Sequence, residues 1–388
     1  MKIALIPGVF FPQVGGAQVQ THNLANKLVQ MGHKVDVILL NQTNIKKNNL
    51  YNTFVINKFI LSFFFYLEKV LKINFSFFFK LYFKKIIKKN SYDIFHFHLL
   101  NFKTLYILKI LKDLNQKVVA TVHGIDIQID ENINYGYRLN KTYEKNFLSV
   151  MPRIDKFFSI SQNIKNDLLK MGVNENKIKM VPNGIERAKF LQFEDSKNNI
   201  NKKIFLITVA RFAKEKKGFD LIPLIAKLLT ERKINFQWTI VGHDSKQIGM
   251  IDDMEKFEKN FEYLNDIKNL DDEFFPHNDL IRLYKSNHIY MNLARIESFG
   301  MTIMEALGSG LPVITFDTKG GNELIKDQYN GIIIKELSPE KIVNAVNYYN
   351  KNIIIYEKHK KNTVISIEKF DLSSIAQKTI EGYKEIVD

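Results

Sequence analysis

Two short segments of this chain combine residue types that suit a diphosphate and a sugar. In Val209-Ala210-Arg211-Phe212-Ala213-Lys214-Glu215-Lys216-Lys217-Gly218, the end of an apolar run meets a cationic loop. Arg211 offers a planar fork of donors and Lys217 a mobile point charge, a pairing suited to a diphosphate. A solvated lysine loop is the competing reading. In Glu297-Ser298-Phe299-Gly300-Met301-Thr302-Ile303-Met304-Glu305-Ala306, Glu297 sits in a loop, Gly300 permits close backbone approach, and a helix starts near Met301. Free amides at that helix start can bind sugar hydroxyls or phosphate. Glu305 lies one turn inside, where both carboxylates could face a ligand; the plainer alternative is a helix-start acid and a surface glutamate.

Weaker signals lie nearer the N-terminus. Gly15-Gly16 falls between a strand and a helix but matches neither GxGxxG nor GxxxxGK[ST], so dinucleotide and P-loop readings are poor. His123 ends a strand beside Gly124, at the edge where such sheets meet ligands. His96 and His98 alternate along one strand and share a face. Lacking an acidic partner, they read as packed or ligand-lining side chains rather than metal ligands. Asp252-Asp253 and Asp271-Asp272 are not a DxD pair at a strand end, so no metal is expected.

These residues need strands and helices to aim them. Lys2–Pro7, Lys34–Leu40, Ile94–His98, Lys117–Val122 and Phe157–Ile160 read as strands of a first half, with a helix over Gln18–Met31 ending at Gly32. After Pro182-Asn183-Gly184, a polar stretch from Glu194 to Lys203 reads as a linker. Strands at Lys203–Ala210, Phe236–Val241, Ile289–Leu293 and Pro312–Phe316 restart the pattern, with helices such as Leu221–Thr230 between them. Alternating strands and helices imply two parallel α/β sheets, which bind ligands at the carboxyl ends of their strands.

Composition narrows the class. The chain has 388 residues and no cysteine, which removes disulfides, thiolate nucleophiles and cysteine-bearing zinc sites. MKIALIPGVFFP turns at Pro7-Gly8, so no signal peptide is expected. The longest apolar run, Phe59–Leu67, is far shorter than the ~18 residues a membrane span needs. Residues 1–190 carry 28 Lys and Arg against 12 Asp and Glu, whereas residues 191–388 carry 28 against 29. All of the excess positive charge thus belongs to the first half, and with no recognised reading module it does not point to nucleic acid.

Taken in order, the motifs resemble the retaining GT-B glycosyltransferases of family 4. The matches run through Gly15-Gly16, Asp93–His98, Thr121–Asp126, Ile160–Gly172, Lys177–Gly184, Val209–Gly218, Val241-Gly242, Glu297–Gly310, and Gly320-Gly321 with Glu323. The resemblance implies two Rossmann-like domains facing each other across a deep cleft: 1–190 for the acceptor and 191–368 for the nucleotide sugar, with a helix over 369–388 crossing back to the first. It further implies that Arg211 and Lys217 neutralise the donor diphosphate. Glu297, with Ser298, Phe299, Gly300 and Met301, would hold the donor sugar. Glu305 would meet the ribose, Phe275 the base, His123 the sugar, and Gly15 and Gly16 the phosphates and acceptor. No cofactor is implied, and UDP is favoured over GDP. The expected activity is retaining transfer of a hexose or N-acetylhexosamine to a lipid-linked glycan acceptor in bacterial surface polysaccharide synthesis. A GT-B epimerase and a non-catalytic sugar-nucleotide-binding membrane scaffold are the alternatives. The chain departs from the family pattern at Asn287-His288, Leu293-Ala294 and Phe274-Phe275.

Residues 46–89 hold ten lysines, one acid (Glu68) and many aromatics. Lys72, Lys80, Lys84 and Lys88 are spaced to line one helix face, which fits an anionic membrane surface. Peripheral binding to the inner face of the cell membrane, from the cytoplasm, is therefore expected. A crossover helix with buried aromatics is the alternative.

Overall fold

The computed structural model describes residues 1–11, 15–40, 49–56, 76–195, 200, 202–265, 273–318 and 320–388. Contacts divide the chain into two units. The first comprises Met1–Gly184, Glu273–Phe275 and Leu372–Asp388; the second comprises Ile185–Asp272 and Pro276–Asp371. Ile185–Phe190, placed with the first domain in the sequence reading, thus belong to the second, and so do residues 369–371.

The first unit holds β1 (Lys2–Pro7), β2 (Lys34–Leu39), β3 (Asn52–Val55), β4 (Ile94–His98), β5 (Val118–Val122), β6 (Lys156–Ser159) and β7 (Ile178–Met180). They form one parallel sheet in the order β3-β2-β1-β4-β5-β6-β7. The second unit holds β8 (Ile204–Val209), β9 (Phe236–Val241), β10 (Phe261–Leu264), β11 (Ile289–Asn292), β12 (Val313–Phe316) and β13 (Gly331–Ile334). These are also all parallel, in the order β10-β9-β8-β11-β12-β13.

Every strand expected from sequence is an inner strand of one of the two sheets, and the four edge strands β3, β7, β10 and β13 went unpredicted. Inner strands of a parallel sheet are covered on both faces, so they read as continuous apolar runs. An edge strand need not be: β3 is exposed at all four positions and β7 is half-buried throughout.

Each strand order reverses at one point, between β1 and β4 and between β8 and β11. Loops leaving adjacent strands there part in opposite directions, opening a crevice at the strands' carboxyl ends. The loops after β8 and β11 are the two that carry Arg211, Lys217 and Glu297. Beneath them, buried Trp238 stacks on Phe261 at 5.6 Å and donates Nε1–H to Thr208 Oγ1 at 3.1 Å. Helix Ile222–Glu231 lays Ile222, Ile225, Ala226 and Leu229 into the same core.

The last helix, Leu372–Val387, packs in the first unit, as expected. Tyr383 bonds through its hydroxyl to His96 Nδ1 at 2.6 Å, and Lys179 meets Glu385 at 2.5 Å. At Gly382 a Cβ would lie 2.5 Å from the Phe158 ring, so the helix approaches the sheet more closely than any side chain there would allow.

Candidate functional site

In the second unit, two glycines bring the cationic loop onto its neighbours. A Cβ on Gly242, just past β9, would stand 2.2 Å from the Ala210 carbonyl oxygen, and Phe212 N donates to His243 O at 2.8 Å. Gly218 takes φ +68°, and a Cβ there would meet the Leu293 carbonyl at 2.0 Å. Arg295 then ties the two loops together. Its amide donates to Lys216 O at 3.0 Å, and its guanidinium donates to both oxygens of Asp220 at 2.7 and 2.5 Å and to Glu215 O. The staple sets Lys217 Nζ 3.1 Å from Glu297 Oε2, with both side chains about four-fifths buried (20% and 17% exposed).

Around this pair the field is positive. Arg211 is exposed and makes no hydrogen bond or ion pair among the described residues. Burial, helped by the charges of Lys217 and Arg211 and opposed by Glu297, pushes the Lys216 ammonium down to about 8. Lys217 and Arg211, with Lys216 next to them, gather positive charge on this loop, which suits an anionic group such as a diphosphate.

Helix Met301–Gly308 begins directly after this pair. Gly300 adopts φ +97°, turning the chain into the helix, whose first amides have no intrahelical acceptor. Ser298, Phe299 and Met301 are buried, and Phe299 meets Phe370 edge-on at 5.6 Å. Gly320 buttresses the loop from behind: its amide donates to Glu297 O at 3.0 Å, and a Cβ there would lie 2.1 Å from the same oxygen.

Glu305 is buried rather than a surface side chain, and it accepts a hydrogen bond from Tyr284 Oη at 3.1 Å. Burial pushes its carboxyl from 4.5 up to about 7, against the opposing pull of Tyr284 and Lys189. Between those values the folded protein holds a proton that the unfolded chain releases, so this group's contribution to stability falls as pH rises through the window. Urea unfolding of wild type and Glu305→Gln at pH 5 and pH 7 should show that pH slope in the wild type and a flatter one in the variant. Parallel slopes would place the ionisation elsewhere.

In the first unit, Gly15 caps helix Gly16–Gln30, and residues 12–14 before it lie outside the described residues. Residues 18–28 of this helix are all buried, although many are polar. Asn23 donates to Phe275 O at 3.0 Å and accepts from Phe275 N at 2.9 Å, and His22 Nε2 lies 3.0 Å from Glu273 O. Phe275, expected at the nucleobase, is 4% exposed and stacks on Phe11 at 5.2 Å. It therefore belongs to the unit that does not contain Lys217 and Glu297.

His123, after β5, is half-buried, and burial holds its imidazole down at about 3. Asp126 fixes this loop. Its buried carboxylate accepts from the amides of His123 (3.0 Å), Gly124 (2.9 Å) and Leu100 (3.1 Å), which ties the loop after β5 to the one after β4. His96 is a packed residue: Nδ1 meets Tyr383 Oη and Nε2 meets Thr121 Oγ1 at 2.7 Å. Among the described residues no group of three or more His, Asp or Glu is placed to hold a metal ion. The sequence reading missed Asp220, Arg295, Tyr284 and Asp126 as supporting side chains. Arg295 and Asp220 could have been noticed as opposite charges each two residues from a named position, Glu297 and Gly218.

The model for Glycosyltransferase Family 4 matches residues 14–189, and that for Glycosyl transferases group 1 matches residues 191–364. An uncharacterised glycosyltransferase of Methanocaldococcus jannaschii is 26% identical over 407 residues, covering 99% of this chain and 98% of the relative. Among solved structures, HepE of Anabaena, in complex with UDP and glucose, superposes with a TM-score of 0.73 at 16% identity, covering 98% of each chain. WaaG, a glycosyltransferase involved in lipopolysaccharide biosynthesis, superposes with a TM-score of 0.69 at 15% identity over 99% of each chain.

Proposed function

This chain belongs to glycosyltransferase family 4, with the GT-B fold, and on that premise we propose that it transfers a hexose or N-acetylhexosamine from a UDP-sugar with retention of configuration. The observation that carries this reading is the Lys217–Glu297 pair, with Arg211 and Lys216 beside it, at the strand-order reversal of the second sheet. Breaking the bond between the anomeric carbon and the diphosphate leaves an oxocarbenium-like sugar and a negative diphosphate. Lys217, held in place beforehand by Glu297, and the exposed Arg211 stabilise that negative charge without a metal. Glu297 and the amides of Phe299 and Gly300 position the sugar hydroxyls, and Glu305 accepts from the ribose; in the first unit, His123 is assigned to a sugar oxygen and Gly16 to the phosphates and acceptor. The acceptor hydroxyl attacks on the face the diphosphate leaves, and its proton passes to the departing phosphate oxygen. UDP as the nucleotide is supported by the UDP and glucose bound in HepE.

The test is nucleotide release from a panel of UDP- and GDP-sugars, with and without glycan acceptors and with chelator present. UDP release, with the anomeric configuration preserved in the NMR spectrum of the product, is expected. Epimerised sugar without release would favour an epimerase. Binding without turnover would favour a scaffold.

The acceptor on this reading is a lipid-linked glycan of a bacterial surface polysaccharide, reached at the cytoplasmic face of the membrane. Support comes from helix Ser76–Asn90, on which Lys84, Lys85, Lys88 and Lys89 are exposed while Phe83 and Ile86 are buried. Lys80 is engaged elsewhere, with Asp113 at 2.8 Å, and Lys72 and residues 57–75 lie outside the described residues. No helix among the described residues is long and apolar enough to cross a membrane. At about 1 kcal/mol per lysine near anionic lipid, changing Lys84, Lys85, Lys88 and Lys89 to Glu should abolish co-sedimentation with anionic vesicles. Wild-type binding should fall with added salt. Equal pelleting with neutral vesicles would count against an electrostatic anchor.

A further inference from the structure

We propose that His98 is a positioning residue that fixes His123 in the tautomer carrying its proton on Nδ1, so that His123 offers an N–H donor to a ligand oxygen. The ligand half of this inference rests on the sugar-contact role proposed above for His123; the tautomer half does not.

His98 Nδ1 and His123 Nε2 lie 3.3 Å apart, so one of the two must donate. His98 is 2% exposed, and its Nε2 is buried with no hydrogen-bond partner among the described residues. Placing the His98 proton on Nε2 would bury an unpaired N–H, which costs more than leaving a lone pair unpaired. The proton therefore sits on His98 Nδ1, and His123 Nε2 accepts it. Burial keeps both rings neutral, so His123 carries its own proton on the remaining nitrogen, Nδ1. That nitrogen has no hydrogen-bond partner among the described residues, on a side chain that is only half-buried.

Neighbouring groups do not set the choice. The His96 ring lies tilted beside that of His98, centroids 4.2 Å apart, but its partners are hydroxyls of Tyr383 and Thr121, which can donate or accept. Asp126 holds the two loops at their spacing without touching either ring through its carboxylate. The matching ligand group is a hydroxyl or carbonyl oxygen that presents a lone pair.

Long-range proton–nitrogen correlation on the full chain, labelled with 15N-histidine and assigned with a His123→Asn variant, reads the tautomer directly. Wild type should show His123 with protonated Nδ1 and bare Nε2. His98→Asp, which replaces the donor facing His123 Nε2 with an acceptor, should draw a proton onto that nitrogen and lower UDP-sugar turnover by about 10- to 100-fold. His98→Asn, which restores an N–H near the Nδ1 position, should recover both. A protonated His123 Nε2 in wild type, or a bare His123 Nε2 in folded His98→Asp, overturns the inference. An Nδ1–H tautomer alongside undiminished turnover in His123→Phe would overturn the ligand contact alone.

Discussion

Lys217→Ala should lower sugar-transfer turnover by about 10²- to 10³-fold, the loss seen when one fixed group stabilising transition-state charge is removed. Charge on the diphosphate grows as the glycosidic bond breaks, so the lysine matters more in the transition state than in the bound donor, and kcat should fall more than KM rises. The three site residues should separate on stability. Glu297→Ala leaves Lys217, which is only 20% exposed, among cations with no carboxylate, whereas Lys217→Ala leaves Glu297 with Lys216 and Arg211 still beside it. Glu297→Ala should cost about 3 kcal/mol in unfolding experiments, and Lys217→Ala less. Arg211 is exposed and unpaired among the described residues, so Arg211→Ala should cut turnover comparably while leaving stability within about 0.5 kcal/mol of wild type. Near-wild-type turnover in folded samples of all three variants would remove this pair from the chemistry.

Gly218→Ala is expected to damage fold and activity together. The residue combines φ +68° with a would-be Cβ contact of 2.0 Å to the Leu293 carbonyl oxygen, and the clashing atom is backbone just past β11. Left-handed strain costs about 1–2 kcal/mol. Relief of the clash must also part the two loops that Arg295 and Asp220 hold together, for a total of about 3 kcal/mol. Because Lys217 precedes this glycine, its separation from Glu297 should change, and turnover should fall about as far as in Lys217→Ala. Gly172→Ala is the control: its φ is +87°, but nothing lies within 4 Å of the would-be Cβ. Strain alone should cost it about 1 kcal/mol, with activity retained. Equal behaviour of the two variants, by calorimetry and by assay, would show that the close approach at Gly218 does not hold the site.

The sequence by itself determined the inner strands, the two-sheet α/β plan and the types of residue at the strand ends. These are legible because a strand covered on both faces must be apolar at nearly every position, and because motifs that are ambiguous singly follow one another in a family's order. Edge strands escaped notice: β3 is exposed throughout, so no burial requirement is written into its residues. Tertiary structure alone decided the pairings. It set Lys217 against Glu297, joined Arg295 to Asp220, and engaged Lys80 with Asp113 instead of leaving it on an open basic face. It buried Glu305 beside Tyr284 and drew Phe275 onto Phe11 and Asn23 of the first unit. Each of these joins residues far apart in the chain, 80 positions in the case of Lys217 and Glu297. Local propensity carries no record of such a partner. Only sheet register and the close approach of loops at a few glycines determine which side chains meet, and the protonation of Glu305 and the tautomer of His123 follow from those meetings.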